Sequence, residues 1–424
     1  MTTSDFIQEL NSRYFQVQLS PEFTQKLELL PVDRPDVFAF VERMFRFMNL
    51  GGVPATDLST MTGDILGTLL ARILPGAWEG RVPPITLPGR HMAIDSYLRD
   101  EARISGQKTM LDIGCGFPPY TTLDTAKAFP NWHITGVDPS LPVYLIYDDQ
   151  GNYATLDEHK KTVYFQPALP TVENWNELLA DSAATKARFE DLLEVLLEHP
   201  GSDTEALPRL EQDPIKGYET ENLKFIRGGI GQVDIAPMDV IRCFNVMFYF
   251  DDVFYGESLD WFADHLKEGG LLLIGANWAA STESYYNVYQ KQNGKLVNRE
   301  FAFSLDSICP LGIVAWYANY DDDRQSASLM KYMNIIRSDK GFMDQFYSLH
   351  DAQRKAMGIC PRNEQGYYGV VDPSVGPNEI WMGAAQLLQG LNDAGLNQKA
   401  ANVLSASGLN AGVNAIGHVT VRLD

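Results

Sequence analysis

Apolar residues recur at helical spacing through roughly the first ninety positions. The pattern then changes to short strand-like runs separated by helices. Ser4 to Ser12, Pro21 to Leu30, Pro35 to Asn49 and Asp57 to Leu74 each place apolar side chains three and four residues apart. The third of these starts at a proline, carries Val37, Phe38, Phe40, Val41, Met44 and Phe45, and stops at Gly51-Gly52. Pro83-Pro84 and Pro88-Gly89 mark a linker. Residues 1–91 are thus expected to form a helical cap that packs on, or covers, the main domain.

Met92 to Ile104 reads as a helix feeding a strand, Thr109 to Ile113. A helix around Thr122 to Phe129 precedes a second strand, Ile134 to Val137, that ends in Asp138. Strands alternating with helices predict a parallel sheet. The rhythm then breaks. Val143 to Tyr147 and Tyr153 to Leu156 flank a polar glycine turn, which predicts a hairpin. Thr162 to Gln166 adds a strand, and Val172 to His199 has an amphipathic helical pattern in an acidic stretch. Residues 141–220 therefore read as an insertion.

The sheet pattern resumes at Leu223 to Ile226. The run Asp239 to Asp251 is nearly continuous in apolar residues, as for a strand buried on both faces. A helix from Val253 to Leu266 leads through Gly269-Gly270 to the strand Leu271 to Ile274. At the end of the chain, a helix over Asn397 to Ala406 precedes two strands, Ala411 to Ile416 and His418 to Leu423. The expected architecture is α/β: a doubly wound, mostly parallel sheet with a C-terminal antiparallel hairpin, a helical N-terminal cap and two large insertions. Residues 92–140, 221–280 and 391–424 form the core in this reading. The second insertion, 281–390, is rich in aromatics (Tyr285, Tyr286, Tyr289, Phe301, Phe303, Trp316, Tyr317 and Tyr320) that serve either a core or a substrate pocket.

The candidate chemistry sits at the strand ends. The first strand runs into Asp112-Ile113-Gly114-Cys115-Gly116, and the second strand ends in an acid, Asp138. A glycine turn beside a strand-tip carboxylate is how open α/β sheets hold a nucleoside cofactor. Pro118-Pro119 follow where a dinucleotide turn has further glycine, and proline has no N–H to offer a pyrophosphate. An acid just ahead of the glycines also favours a ligand carrying positive charge. The turn resembles the first motif of class I S-adenosylmethionine (SAM) methyltransferases, with Asp112, Gly114 and Gly116 in the motif and Asp138 as the ribose acid. That resemblance implies SAM as cofactor. Gln232 or Asp234, after the third strand, would face the adenine.

Asp239 to Asp251 is similar to the fourth-strand motif of chemotaxis-receptor glutamate methyltransferases. Cys243, Asn245, Val246, Tyr249, Phe250 and Asp251 are in register, while Phe244 stands where that family has arginine. The resemblance makes Asn245 cofactor-adjacent. Tyr249, Asn277 and Trp278 are expected to line a substrate pocket. No His/Asp pair announces a base, and no catalytic residue is assigned.

Composition narrows the partners. A net charge of −21 over 424 residues argues against nucleic acid or an anionic membrane. The four cysteines have no zinc or C-x-x-C spacing, no metal is implied, and buried free thiols fit a reducing, cytoplasmic setting. No signal peptide or membrane span is expected. The resulting expectation is a SAM-dependent methyltransferase acting on a small molecule through oxygen, nitrogen or carboxylate. SAM cyclisation on the same fold, a non-catalytic binding module and an NAD(P) oxidoreductase are the alternatives.

Overall fold

The computed structural model describes residues 2–423 except 68, 70–73, 78–83, 101–105, 199–205 and 322. Parts of three sequence expectations lie outside the described residues: the middle of the helix to Leu74, the end of the helix to Ile104, and His199. Pro83 of the linker lies outside them too.

Among the described residues, thirteen strands form two sheets. In chain order they are β1 (Thr109–Ile113), β2 (His133–Asp138), β3 (Tyr144–Tyr147), β4 (Tyr153–Leu156), β5 (Thr162–Gln166), β6 (Arg209–Gln212), β7 (Leu223–Arg227), β8 (Met238–Phe244), β9 (Leu266–Ala276), β10 (Tyr285–Gln292), β11 (Lys295–Phe303), β12 (Ala411–Val413) and β13 (Val419–Arg422). The central sheet has the order β12-β13-β11-β10-β9-β8-β1-β2-β7. Its five strands from β9 to β7 are parallel, and the rest pair antiparallel. The chain builds outward from β1 through β2 to β7, then crosses back to β8. The crevice at the carboxyl ends of β1 and β8 is therefore a topological switch point, where ligands of open α/β sheets bind.

Side-chain alternation in the strands feeds a separate apolar layer on each face. Met110, Ile134, Val240 and Leu273 pack on one side. Leu111, Val137, Ile241 and Ile274 pack on the other.

The sheet differs from expectation at its antiparallel half. The strands beside β9 are β10 and β11, from the stretch assigned to the second insertion, and the C-terminal hairpin β12–β13 lies beyond them at the edge. The tight turn at Asn293-Gly294 lets β10 and β11 pair over their whole length, and they occupy the sheet before the C-terminal strands are reached. Their aromatic richness is accordingly core: Tyr285, Tyr286, Phe301 and Phe303 are buried.

The stretch after β2 forms a sheet of its own, β5-β4-β3-β6, covered by helices Val172–Leu179 and Ser182–Glu198. Its layer includes Ile146, Leu156, Phe165, Trp175, Phe189 and Leu193. The N-terminal helices Thr3–Tyr14, Pro21–Leu27 and Pro35–Leu50 share one apolar layer with helices Arg324–Ser338 and Lys340–Met357. Among the described residues no helix is long and apolar enough to cross a membrane, and all four cysteines are free and buried.

Candidate functional site

The turn after β1 is shaped by hydrogen bonds and by two left-handed glycines. Gly114 Nα donates to Val137 O at 2.8 Å, which ties the turn to the end of β2. Gly114 has φ 78°, and a Cβ there would stand 2.3 Å from Val246 Cγ2; Gly116 has φ 62°, and a Cβ there would stand 2.6 Å from Pro84 O. Both positions therefore need glycine for conformation and for space. Gly116 Nα donates to Asp138 Oδ2 at 2.9 Å, and Ser140 Nα donates to Asp138 Oδ1 at 2.7 Å. A strand-tip carboxylate is thus clamped against the glycine turn.

Asn245, at the end of β8, has φ 59°. Its side-chain Oδ1 accepts from Asn277 Nα at 3.0 Å, and its Nδ2 donates to Asn277 Oδ1 at 3.2 Å. This pair locks the ends of β8 and β9 together. Asn277 Nδ2 then donates to the carbonyl of Arg90 at 2.8 Å, and Ser281 Oγ donates to the same oxygen at 2.7 Å. Pro84 O accepts from Phe117 Nα at 2.7 Å, and Gly89 Nα donates to Asp124 Oδ2 at 2.8 Å. The proline-rich stretch 84–91 is thus a strap, stitched to the glycine turn at one end and to the β9 loop at the other. In sequence it reads only as a linker.

Under this strap lies a cavity of about 290 Å³. One side is bordered by Gly114, Gly116, Asp138 and Gly228 to Ile230. The other is bordered by Arg90, His91, Tyr249, Asn277, Trp278 and Tyr317. Apolar wall comes from Phe244, Val246, Phe250, Ile313 and Val314. Tyr317 packs edge-on to Phe248 with ring centroids 4.8 Å apart and to Tyr249 at 6.0 Å. Burial pushes the Tyr317 phenol above its ordinary range. Burial also lowers Arg90 to about 10, so it remains a cation at neutral pH. His91 is held well below 6.5 by burial, then by the charges of Arg242 and Arg90, against an opposing contact with Asn277. It is a neutral imidazole.

Of the residues expected at a site, Gly114, Gly116, Asp138, Asn245, Tyr249, Asn277 and Trp278 meet at this cavity. Two expectations need correction. Asp112 does not border the cavity. Parallel pairing sets it opposite Arg242, whose Nε and Nη2 donate to its Oδ1 and Oδ2 at 2.9 and 2.7 Å, and Thr122 Oγ1 adds a bond of 2.6 Å. Gln232 is exposed, and its Oε1 accepts from Gly229 Nα at 2.9 Å, so it shapes the loop and does not face the cavity. Tyr317, one of the aromatics expected in either a core or a pocket, also borders the cavity. Arg90 and His91 carry no such signal in the sequence; the only local mark is the Pro-Gly stop just before Arg90. Among the described residues, no cluster of ligating side chains could hold a metal.

No protein-family model matches the chain, and neither does any curated protein. Solved structures similar to it include a putative S-adenosyl-L-methionine-dependent methyltransferase from Methanococcus maripaludis. That likeness has 15% identity and a TM-score of 0.24, and it covers 45% of this chain and 56% of that one. The N-methyltransferase NodS from Bradyrhizobium japonicum WM9 is similar at 13% identity and a TM-score of 0.22, over 45% of this chain and 70% of that one. A SAM-bound amino pentose methyltransferase from Micromonospora echinaspora is similar at 16% identity and a TM-score of 0.21, over 51% and 64%. The chain thus spans just over half the length of the first of these structures.

Proposed function

We propose that this protein is a SAM-dependent methyltransferase acting on a small molecule. The observation that carries the reading is the continuous cavity under the strap. It joins a bare glycine turn and a clamped strand-tip carboxylate on one side to aromatic and polar side chains on the other. The two halves ask for different ligand parts. Asp138 offers a carboxylate to a diol, Gly114 and Gly116 let backbone approach closely, and Ile230, Val246 and Phe250 offer an apolar slot for a flat base. These residues fit an adenosyl ligand.

When bound there, SAM supplies an electrophilic methyl carbon on a leaving group that needs no protonation. The chain's own work is then to hold and align the acceptor, which in well-oriented reactions accounts for roughly 7–11 kcal/mol of the barrier. Tyr249, Asn277, Trp278 and Tyr317, which border the cavity, supply that alignment.

Thermal unfolding with added SAM, S-adenosylhomocysteine and NAD tests the reading. Both adenosyl ligands should raise Tm, by the equivalent of about 2.7 kcal/mol at a hundredfold excess over Kd, and NAD should not. Stabilisation by NAD alone, or by none of the three, overturns it.

A further inference from the structure

Arg90 is a charged group at the cavity for which that reading provides no task. Its main-chain carbonyl is fixed by Asn277 and Ser281, so the residue is held in place from its backbone. Its Nε is buried without a hydrogen-bond partner. Its electrostatic neighbour is the Tyr249 phenol, and no carboxylate acts on it among the described residues. Arginines held out of water are ordinarily paired, as fully buried Arg242 is with Asp112 and Asp95 in the same molecule. Arg90 is half-buried at the cavity edge, and its buried Nε leaves a donor that an anion in the cavity would complete. The acid on the cavity wall, Asp138, accepts from Gly116 and Ser140 and is not among the groups that act on Arg90.

We propose, resting on the methyltransferase reading, that the acceptor is a small apolar carboxylic acid, with its carboxylate on Arg90 and its hydrocarbon body against Trp278, Ile313, Val314 and Tyr317. Guanidinium and carboxylate match as a two-point charged pair. Proton bookkeeping points the same way. A phenol or an ammonium acceptor must give up a proton, and His91, the imidazole at this wall, is a poor base because burial and two arginines disfavour its charged form. A carboxylate is already ionised at neutral pH. Methyl transfer to it forms one O–C bond and breaks one S–C bond. Sulfur keeps the electron pair, the positive and negative charges cancel, and no proton is released. The product is a methyl ester.

The test is calorimetric and uses simple acids in place of the natural acceptor. The wild-type protein, with and without saturating S-adenosylhomocysteine, is titrated with benzoate and 3-phenylpropionate, with the matching amides, and with phenethylamine. The carboxylates should bind at least tenfold more tightly than the amides or the amine, and Arg90→Met should remove that preference while Arg90→Lys keeps part of it. In parallel, Arg90→Met should bind S-adenosylhomocysteine and methylthioadenosine as the wild type does. Equal binding of amides, binding of none of the carboxylates, or loss of S-adenosylhomocysteine affinity with methylthioadenosine affinity retained would each overturn the proposal. The last outcome would assign Arg90 to the carboxylate of the cofactor. Failure of S-adenosylhomocysteine to bind the wild type would instead strike the methyltransferase reading, and the carboxylate preference would still be read from the titrations without it.

Discussion

Arg242 and Asp112 are cross-strand neighbours joined by two parallel bonds of 2.9 and 2.7 Å in a fully buried setting. The remaining arm of the guanidinium reaches Asp95 at 2.8 Å. The motif acid is therefore a tie between β1 and β8 and the helix Met92–Asp100. Arg242→Met should leave two buried carboxylates facing each other and cost about 3–5 kcal/mol in urea unfolding. Asp112→Asn should be destabilising too, yet the folded fraction should retain its affinity for S-adenosylhomocysteine. A large loss of affinity in well-folded Asp112→Asn would return this residue to the cavity.

Asp138→Asn makes the opposite prediction. The replaced oxygen must meet a donor at either Gly116 or Ser140, because both oxygens accept hydrogen bonds. The mismatch should cost about 1–3 kcal/mol of stability. S-adenosylhomocysteine binding should weaken at least tenfold by calorimetry, a loss that Asp112→Asn does not share.

Gly116→Ala tests the strap. The new Cβ would stand 2.6 Å from a main-chain oxygen, Pro84 O, and 2.9 Å from Thr86 Cγ2, in a backbone conformation of φ 62°. Main chain cannot yield as a side-chain tip does, so the strap must lift. We expect a loss of about 1–3 kcal/mol and faster proteolysis within 84–91. In Gly114→Ala the clash is with a side chain, Val246 Cγ2, and strap proteolysis should change less.

Stability should depend on pH through buried groups that do not themselves border the cavity. Glu283 is pushed up to about 8, first by burial and then by Asp306, against the hydrogen bonds it accepts from the Gly312, Val314 and Leu311 amides. A folded-state value above the ordinary 4.5 means its stabilising contribution is full below about pH 4.5 and is lost as pH rises through 8. His350 and His418, lowered by burial to about 4 and about 3, act in the other direction. Their contribution is full above pH 6.5 and is lost as pH falls. Glu283→Gln should therefore flatten the decline between pH 6.5 and 8, by about 2 kcal/mol at 1.36 kcal/mol per unit. Chemical unfolding at the two pH values checks this.

Much of the parallel half was legible because its signals are local. Alternating strands and helices, the glycine turn and the strand-tip acid each occupy a few consecutive residues. The antiparallel half was misread because β10 and β11 look like any aromatic-rich segment. Only pairing with β9 shows that they enter the sheet before the C-terminal strands. Asp112 was misassigned for a related reason: its partner, Arg242, is 130 residues away and becomes visible only in the parallel register. Arg90 and His91 were missed because proline and glycine punctuation describes how a chain bends, not what it bends over. Trp316 and Tyr317 are adjacent in sequence and share one buried apolar layer, yet only Tyr317 also borders the cavity, a distinction no composition argument makes.

The strap also sets an order of events during synthesis. Its Arg90 carbonyl waits for Asn277, 187 residues downstream, before it has a hydrogen-bond donor. The first helices and β1 likewise wait for later partners, the helices Arg324–Ser338 and Lys340–Met357 and the strand β8. Closing so long a loop is entropically slow, which makes chamber assembly a late step and gives any occupant leverage over whether it stays assembled.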